Sequence, residues 1–142
     1  MAMPTDPVVR PAVWSTVAFA VASVVAVSSD AGASIVALFD LLLFALGCLV
    51  FARTLLTAAQ RSRTEELSVA GIWLLAGQPK DIQRWLLGCL AAQVVIALVA
   101  AGMRPYTAVA FGVLVPTFGL ALCGLWAVRS GTFPPRASGT TD

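Results

Sequence analysis

The chain is expected to fold as an all-α integral membrane four-helix bundle with a short interfacial helix in its middle loop. Three observations predict this. Residues 12–29, 35–52, 85–103 and 106–128 form four apolar stretches, each close to the roughly 20 residues that carry a helix across ~30 Å of hydrocarbon. Only 11% of the 142 residues are charged while 59% are hydrophobic, against ~25% charged in an ordinary soluble domain. Arg and Lys are placed unevenly between the connections. Residues 1–142 therefore read as a single transmembrane domain. With the apolar side chains already content in lipid, its helices must associate by close packing and polar contacts.

Taken in order, residues 1–11 carry Pro4, Pro7 and Pro11 and read as a flexible end. The first span opens near Trp14 and repeats small residues at Ala18, Ala22 and Ala26, a spacing that lets helix backbones approach. Ala31-Gly32-Ala33 offers a competing reading, cleavage of a signal peptide. Against it, the preceding apolar run exceeds the 7–15 residues of a signal core, and its n-region holds only Arg10, offset by Asp6. A short turn at Asp30 leads into the second span, with Asp40 about five residues inside it.

In the middle loop, residues 67–76 are apolar but reach only about 15 Å as a helix. Such a segment lies on the membrane. Thr64 as N-cap, Glu65 and Glu66 in the first turn, and Gly77 with Pro79 as the stop place an interfacial helix over residues 64–77, with Trp73 towards lipid. Either this segment tucks against the inner end of the bundle or it serves as a docking surface for another protein. Pro79, Lys80 and Asp81 open the third span, where Asp81 favours the helix dipole. Gln93 lies near its middle, and Gly88 with Ala92 repeats the small-residue spacing, as do Ala108 and Gly112 in the fourth. Pro116 is expected to kink the fourth span, and residues 130–142, with Gly131, Pro134, Pro135 and Gly139, read as a second flexible end. The halves show no internal repeat, and two helices per half would run parallel, so no inverted symmetry argues for transport.

Basic residues mark cytoplasmic loops. Arg10, Arg53, Arg61, Arg63, Lys80, Arg84, Arg129 and Arg136 fall on one side and Arg104 alone on the other. This places both termini and the middle loop in the cytoplasm of a bacterial cell (inner) membrane. Trp14, Trp73, Trp85 and Trp126 share that inner interface, and Tyr106 marks the outer one.

Chemistry-bearing residues are few. Asp40 is costly at depth and needs a partner or water. The expected partner is Arg104; the alternatives are a proton or cation relay and a carboxylate that snorkels outward. Gln93 is expected to bond across helices as glue. Cys48, Cys89 and Cys123 share the inner half of the membrane, but without histidine or a C-x-x-C spacing they read as small apolar residues and not as a metal site. No phosphate-cradling glycine motif occurs, and acid–base or nucleophilic chemistry needs clustered titratable groups. The expectation is therefore no enzyme, no cofactor and no metal, with no nucleic-acid partner. Arg61, Glu65 and Trp73 are the candidate partner-facing residues of the middle loop, where Glu and Arg also pair along a helix surface.

The second half carries a resemblance. Arg104-Pro105-Tyr106-Thr107, Ala110 to Pro116, Gly119-Leu120, Gly124-Leu125-Trp126 and Arg129 to Arg136 resemble small multi-span membrane proteins of unknown function from actinobacteria, over about a quarter of the chain. Eight Arg to one Lys, with abundant Ala and Val, agrees with such a source. The resemblance implies no activity, but it implies that Gly131 to Arg136 forms a fixed cytoplasmic foot and not a loose tail. The expected role is a non-enzymatic small membrane subunit or accessory protein, in contact with the lipid bilayer and with a membrane protein partner or further copies of itself. The alternative is a small oligomeric transporter or channel using Asp40. Small four-span exporters typically carry their acid in the first helix, and their dual-topology versions have little charge bias; this chain differs in both.

Overall fold

The computed structural model describes residues 6–105 and 107–135; the expectations for Tyr106, for Arg136 and for the two extreme ends lie outside them. The chain is an all-α bundle. Helices α1 (Val9–Ser28), α2 (Asp30–Arg61), α3 (Val69–Trp73), α4 (Lys80–Met103) and α5 (Pro116–Ser130) are joined by short connections, and a 3₁₀ segment (Ala108–Leu114) precedes α5. Four helical stretches, the 3₁₀ segment and α5 counted as one, are long and apolar enough to cross a membrane. Neighbours around the bundle run α2, α1, α4, α5 and back to α2, so α2 and α4 are diagonal.

Two boundaries differ from the sequence expectation. Helix α2 begins at Asp30, capped by the Ser29 hydroxyl accepting the Gly32 amide, and continues past Ala52 to Arg61. The extension is built of Thr, Leu, Ala and Gln, which tolerate a helix, and Thr54 and Ala58 bury one face of it. At 1.5 Å per residue α2 is about 48 Å long, so one end projects beyond any bilayer core. In the fourth span the expected kink takes the form of a change from 3₁₀ to α-helix at Val115. Pro116 has no N–H and sits at the first position of α5, where the missing donor costs nothing. The Gly112 carbonyl instead accepts from Val115 at 3.1 Å, the tighter i to i+3 pattern of a 3₁₀ turn.

The last span is the centre of the molecule, with half of its residues buried against about a fifth in each of the others. Small residues allow this. A Cβ on Gly47 of α2 would lie 2.9 Å from the Phe118 Cα of α5, and one on Gly124 would lie 2.9 Å from the Thr54 side chain, distances that force something to move. The buried side chains stack in three levels along the axis: Val9, Leu75, Leu86, Leu122 and Trp126 at one end, Phe19, Ala97 and Val115 in the middle, and Ala26, Val36 and Val109 at the other.

Candidate functional site

Of the buried polar residues Ser23, Asp40, Thr54, Gln78 and Gln93 among those described, Asp40 and Gln93 each leave an oxygen without a hydrogen-bond partner. Phe19 and Gly112 flank Asp40: a Cβ on Gly112 would sit 3.3 Å from the Phe19 ring and 3.5 Å from Asp40 Oδ2. Asp40 is 2% exposed, its Oδ1 is buried with no hydrogen-bond partner, and no ion pair reaches it among the described residues. The expected pair with Arg104 does not form. Because α2 starts at Asp30, Asp40 lies ten residues into the helix, about 15 Å from its N-terminal end and beyond the reach of Arg104. That guanidinium instead bonds Asp30 Oδ1 at 2.8 Å and the Ala26 carbonyl at 3.4 Å, tying the end of α4 to the α1–α2 corner.

Gln93 is fully buried and joins α4 to α1. Its Nε2 donates to Thr16 Oγ1 at 3.0 Å and to Ser15 Oγ at 3.4 Å. Both hydroxyls spend their own protons on the Ala12 carbonyl, so they can only accept, and this fixes the orientation of the amide. Gln93 Oε1 has no hydrogen-bond partner and packs on Gly119, where a Cβ would collide with it. The cross-helix role expected for Gln93 is present. Phe19 and Thr16 are three residues apart on α1, which puts Asp40 and Gln93 about one helical turn apart in depth.

At the other end of the bundle the middle loop and the start of the tail form one folded foot. Arg61 pairs with Glu65 at 2.6 Å, donates to the Val128 carbonyl at 2.8 Å and the Gly131 carbonyl at 3.2 Å, and lies over the Phe133 ring at 5.3 Å. The last carbonyls of α5, which no helical donor reaches, are thus met by a cation suited to the negative end of the dipole. Gln78 doubles the attachment, its amide bonding the Thr132 carbonyl at 3.0 Å and the Thr132 N–H at 3.1 Å, and the Glu66 N–H reaches the Pro134 carbonyl at 2.9 Å. Residues 131–135 are therefore held in place, and the loose tail expected from Gly and Pro content is corrected for them. The lead-in is corrected too: Asp6 accepts from the Trp126 indole at 2.7 Å and from the Val8 amide at 2.9 Å, and Val8, Val9 and Ala12 are buried.

The loop helix also differs in detail. Its cap is Ser68, which accepts from the Gly71 amide, while Thr64 bonds back to the Arg61 carbonyl. Helix α3 is five residues long and ends at Trp73; two left-handed residues follow, the fully buried Leu75 with φ 55° and Gly77 with φ 79°. Trp73 does not point outward; its ring stacks on Phe51 with centroids 4.6 Å apart and rests on Gly124. Val69 and Leu74 are the exposed apolar residues of this segment. Hence Arg61, Glu65 and Trp73, the candidate partner-facing residues, are engaged with their own chain. The segment tucks against the end of the bundle.

The three cysteines diverge, Cys48 exposed, Cys89 half-buried and Cys123 buried. No group of three or more His, Cys, Asp or Glu side chains that could hold a metal occurs among the described residues.

No match emerges from comparison with protein-family models, curated proteins and solved structures.

The sequence reading missed Asp6, Gln78 and Ser68 as structural residues. Ser68 was legible as a Ser three residues before Gly71, a cap spacing. Asp6 and Gln78 carry no such local signal, since their partners Trp126 and Thr132 are distant in sequence.

Proposed function

We propose that this is a non-enzymatic small membrane subunit or accessory protein of a bacterial cell membrane, with both chain ends and the middle loop in the cytoplasm. The observation that carries the reading is Gly88 on α4. Glycines 47, 112, 119 and 124 each accept a close internal neighbour, whereas a Cβ on Gly88 would meet nothing within 4 Å. A glycine inside a helix costs about 1 kcal/mol relative to alanine, and internal packing gives no reason for this one. With exposed Ala91 and Val95 and half-buried Ala92 one and two turns on, it forms an outward face on which a second transmembrane helix can approach closely. Positive-inside placement supports the orientation, with Arg10, Arg53, Arg63, Lys80, Arg84 and Arg129 all exposed at the end that holds the foot.

Crosslinking and affinity purification from the native membrane in mild detergent, followed by mass spectrometry, tests the proposal. A stoichiometric membrane protein that is lost in Gly88→Leu supports it. Recovery of the chain alone, or of a partner indifferent to Gly88→Leu, rejects it.

One observation favours the alternative of a small oligomeric transporter or channel, the unpaired Asp40 beside the 3₁₀ segment of the fourth span; irregular helices at mid-membrane form the binding sites of many transporters.

A further inference from the structure

We propose that Asp40 is a reversible proton-binding site in the interior of the bundle, at the level of the 3₁₀ segment of the fourth span. The inference stands apart from the accessory reading and holds whether or not a partner docks on α4.

An acidic side chain in the middle of a membrane is tolerated when a counter-charge, a polar cage or water compensates it. Among the described residues Asp40 has neither a counter-charge nor a hydrogen-bonding cage. Its Oδ1 is buried without a hydrogen-bond partner, and the residue is 2% exposed. Its flanks are the Phe19 ring and the Gly112 backbone, which offer no cation and no hydroxyl. The elements packed against it supply no counter-charge either. Helix α1 carries Arg10 alone, at its far end; the 3₁₀ segment carries no titratable residue; α5 carries Cys123 and Arg129, both beyond the middle of the span; α2 itself adds Asp30, Cys48, Arg53 and Arg61; and diagonal α4 adds Lys80, Asp81, Arg84 and Cys89. Arg104 at the end of α4 is held by Asp30. Some cation must accompany the carboxylate, and the choice lies between a proton and a metal ion. A hard metal cation needs about six oxygen ligands; Asp40 has no cluster of acidic side chains around it among the described residues. A proton needs only the carboxylate.

The neighbouring backbone makes protonation consequential. The 3₁₀ segment over Ala108–Leu114 has poorer hydrogen-bond geometry than an α-helix, and Gly112 brings it against the carboxyl with no side chain between them. Loss of the proton places a negative charge against that segment, the least regularly bonded part of the four spans.

The test is infrared spectroscopy of the full-length protein in lipid vesicles, taken from mildly acidic to alkaline buffer with and without ¹³C-aspartate. The proposal expects a protonated-acid carbonyl band that shifts with the label, is absent from Asp40→Asn, and is lost and regained as pH is raised and lowered. If Asp40→Asn fails to fold, Asp40→Glu serves instead: the band persists but no longer shifts with labelled aspartate. A carboxylate signature at every pH, or an acid band that never responds to pH, overturns the proposal. Loss of the acid band on adding sodium at fixed pH also overturns it, in favour of a metal-ion site.

Discussion

Replacing Arg61 with methionine keeps most of the apolar stem and removes the guanidinium that fastens the foot. Two charged donors go, at 2.8 Å and 3.2 Å to the Val128 and Gly131 carbonyls; hydrogen bonds to charged groups are worth about 1.5–3 kcal/mol each. The lower end applies, since the Arg61 side chain is 24% exposed and water can replace part of what is lost. The Phe133 contact adds about 0.5–1 kcal/mol and the pair with Glu65, itself partly exposed, about 0.2–1 kcal/mol. Packing of the retained stem and new water contacts return some of this, leaving a net loss of about 2–4 kcal/mol, confined to the foot. At 1.4 kcal/mol per decade this is about a 30- to 700-fold rise in local opening. Amide hydrogen exchange reads it directly, because the Glu66 and Thr132 amides are protected only by Pro134 and Gln78 across the same seam. Peptides over residues 62–78 and 128–135 should lose protection while those over α1 and α4 do not. Arg53→Met, an exposed arginine on the same helix, should change neither. Unchanged exchange at Glu66 and Thr132 in Arg61→Met would refute the reasoning.

Four further outcomes follow from the same contacts. A double-mutant cycle on Gln93→Leu and Thr16→Val should show coupling of about 0.6–1.7 kcal/mol, the range for interhelical bonds in membranes, measured by unfolding in detergent; zero coupling removes the bond. Asp40→Asn and Arg104→Gln should be additive, as expected for residues without shared partners, whereas coupling well above 0.5 kcal/mol would restore the ion pair that the sequence favours. Arg104→Gln with Asp30→Asn should couple by less than about 1 kcal/mol, because the Asp30 side chain is 93% exposed. Asp6→Ala should shift the Trp126 indole N–H resonance and cost about 1–2 kcal/mol; an unmoved resonance means that the lead-in is not anchored.

The fold was legible because its cause is local. Each span announces itself by length and apolar content, whereas α3 ends at Trp73, four residues before the stop expected at Gly77 and Pro79. The boundaries of α2 were less so: Thr54 and Ala58 look amphipathic only once α5 supplies the surface that buries them. Pro116 announced a disturbance, but whether it produces a kink or a 3₁₀ segment depends on how the preceding segment packs against Phe19 and Asp40. The site suffered most. Asp40 and Arg104 are the obvious complementary pair by composition, yet Asp30 is closer to Arg104 once the helix is extended by one turn. Arg61, Glu65 and Trp73 stood out as loop residues of a binding type, and all three turn inward: Arg61 and Glu65 meet the returning residues 131–135, and Trp73 packs on Phe51 and Gly124. That return is a long-range event, which the periodicity of neither segment encodes.

The central claim is that the Gly88 face of α4 receives a helix from another protein. A photocrosslinking residue placed at Ala91, with a control at Leu56 on the exposed face of α2, tests it in the native membrane. The account predicts one discrete crosslinked protein of different sequence from Ala91, none from Leu56, and its disappearance when Gly88→Leu is added. Adducts only with lipid, only with a second copy of the chain, or equally from both positions would contradict it.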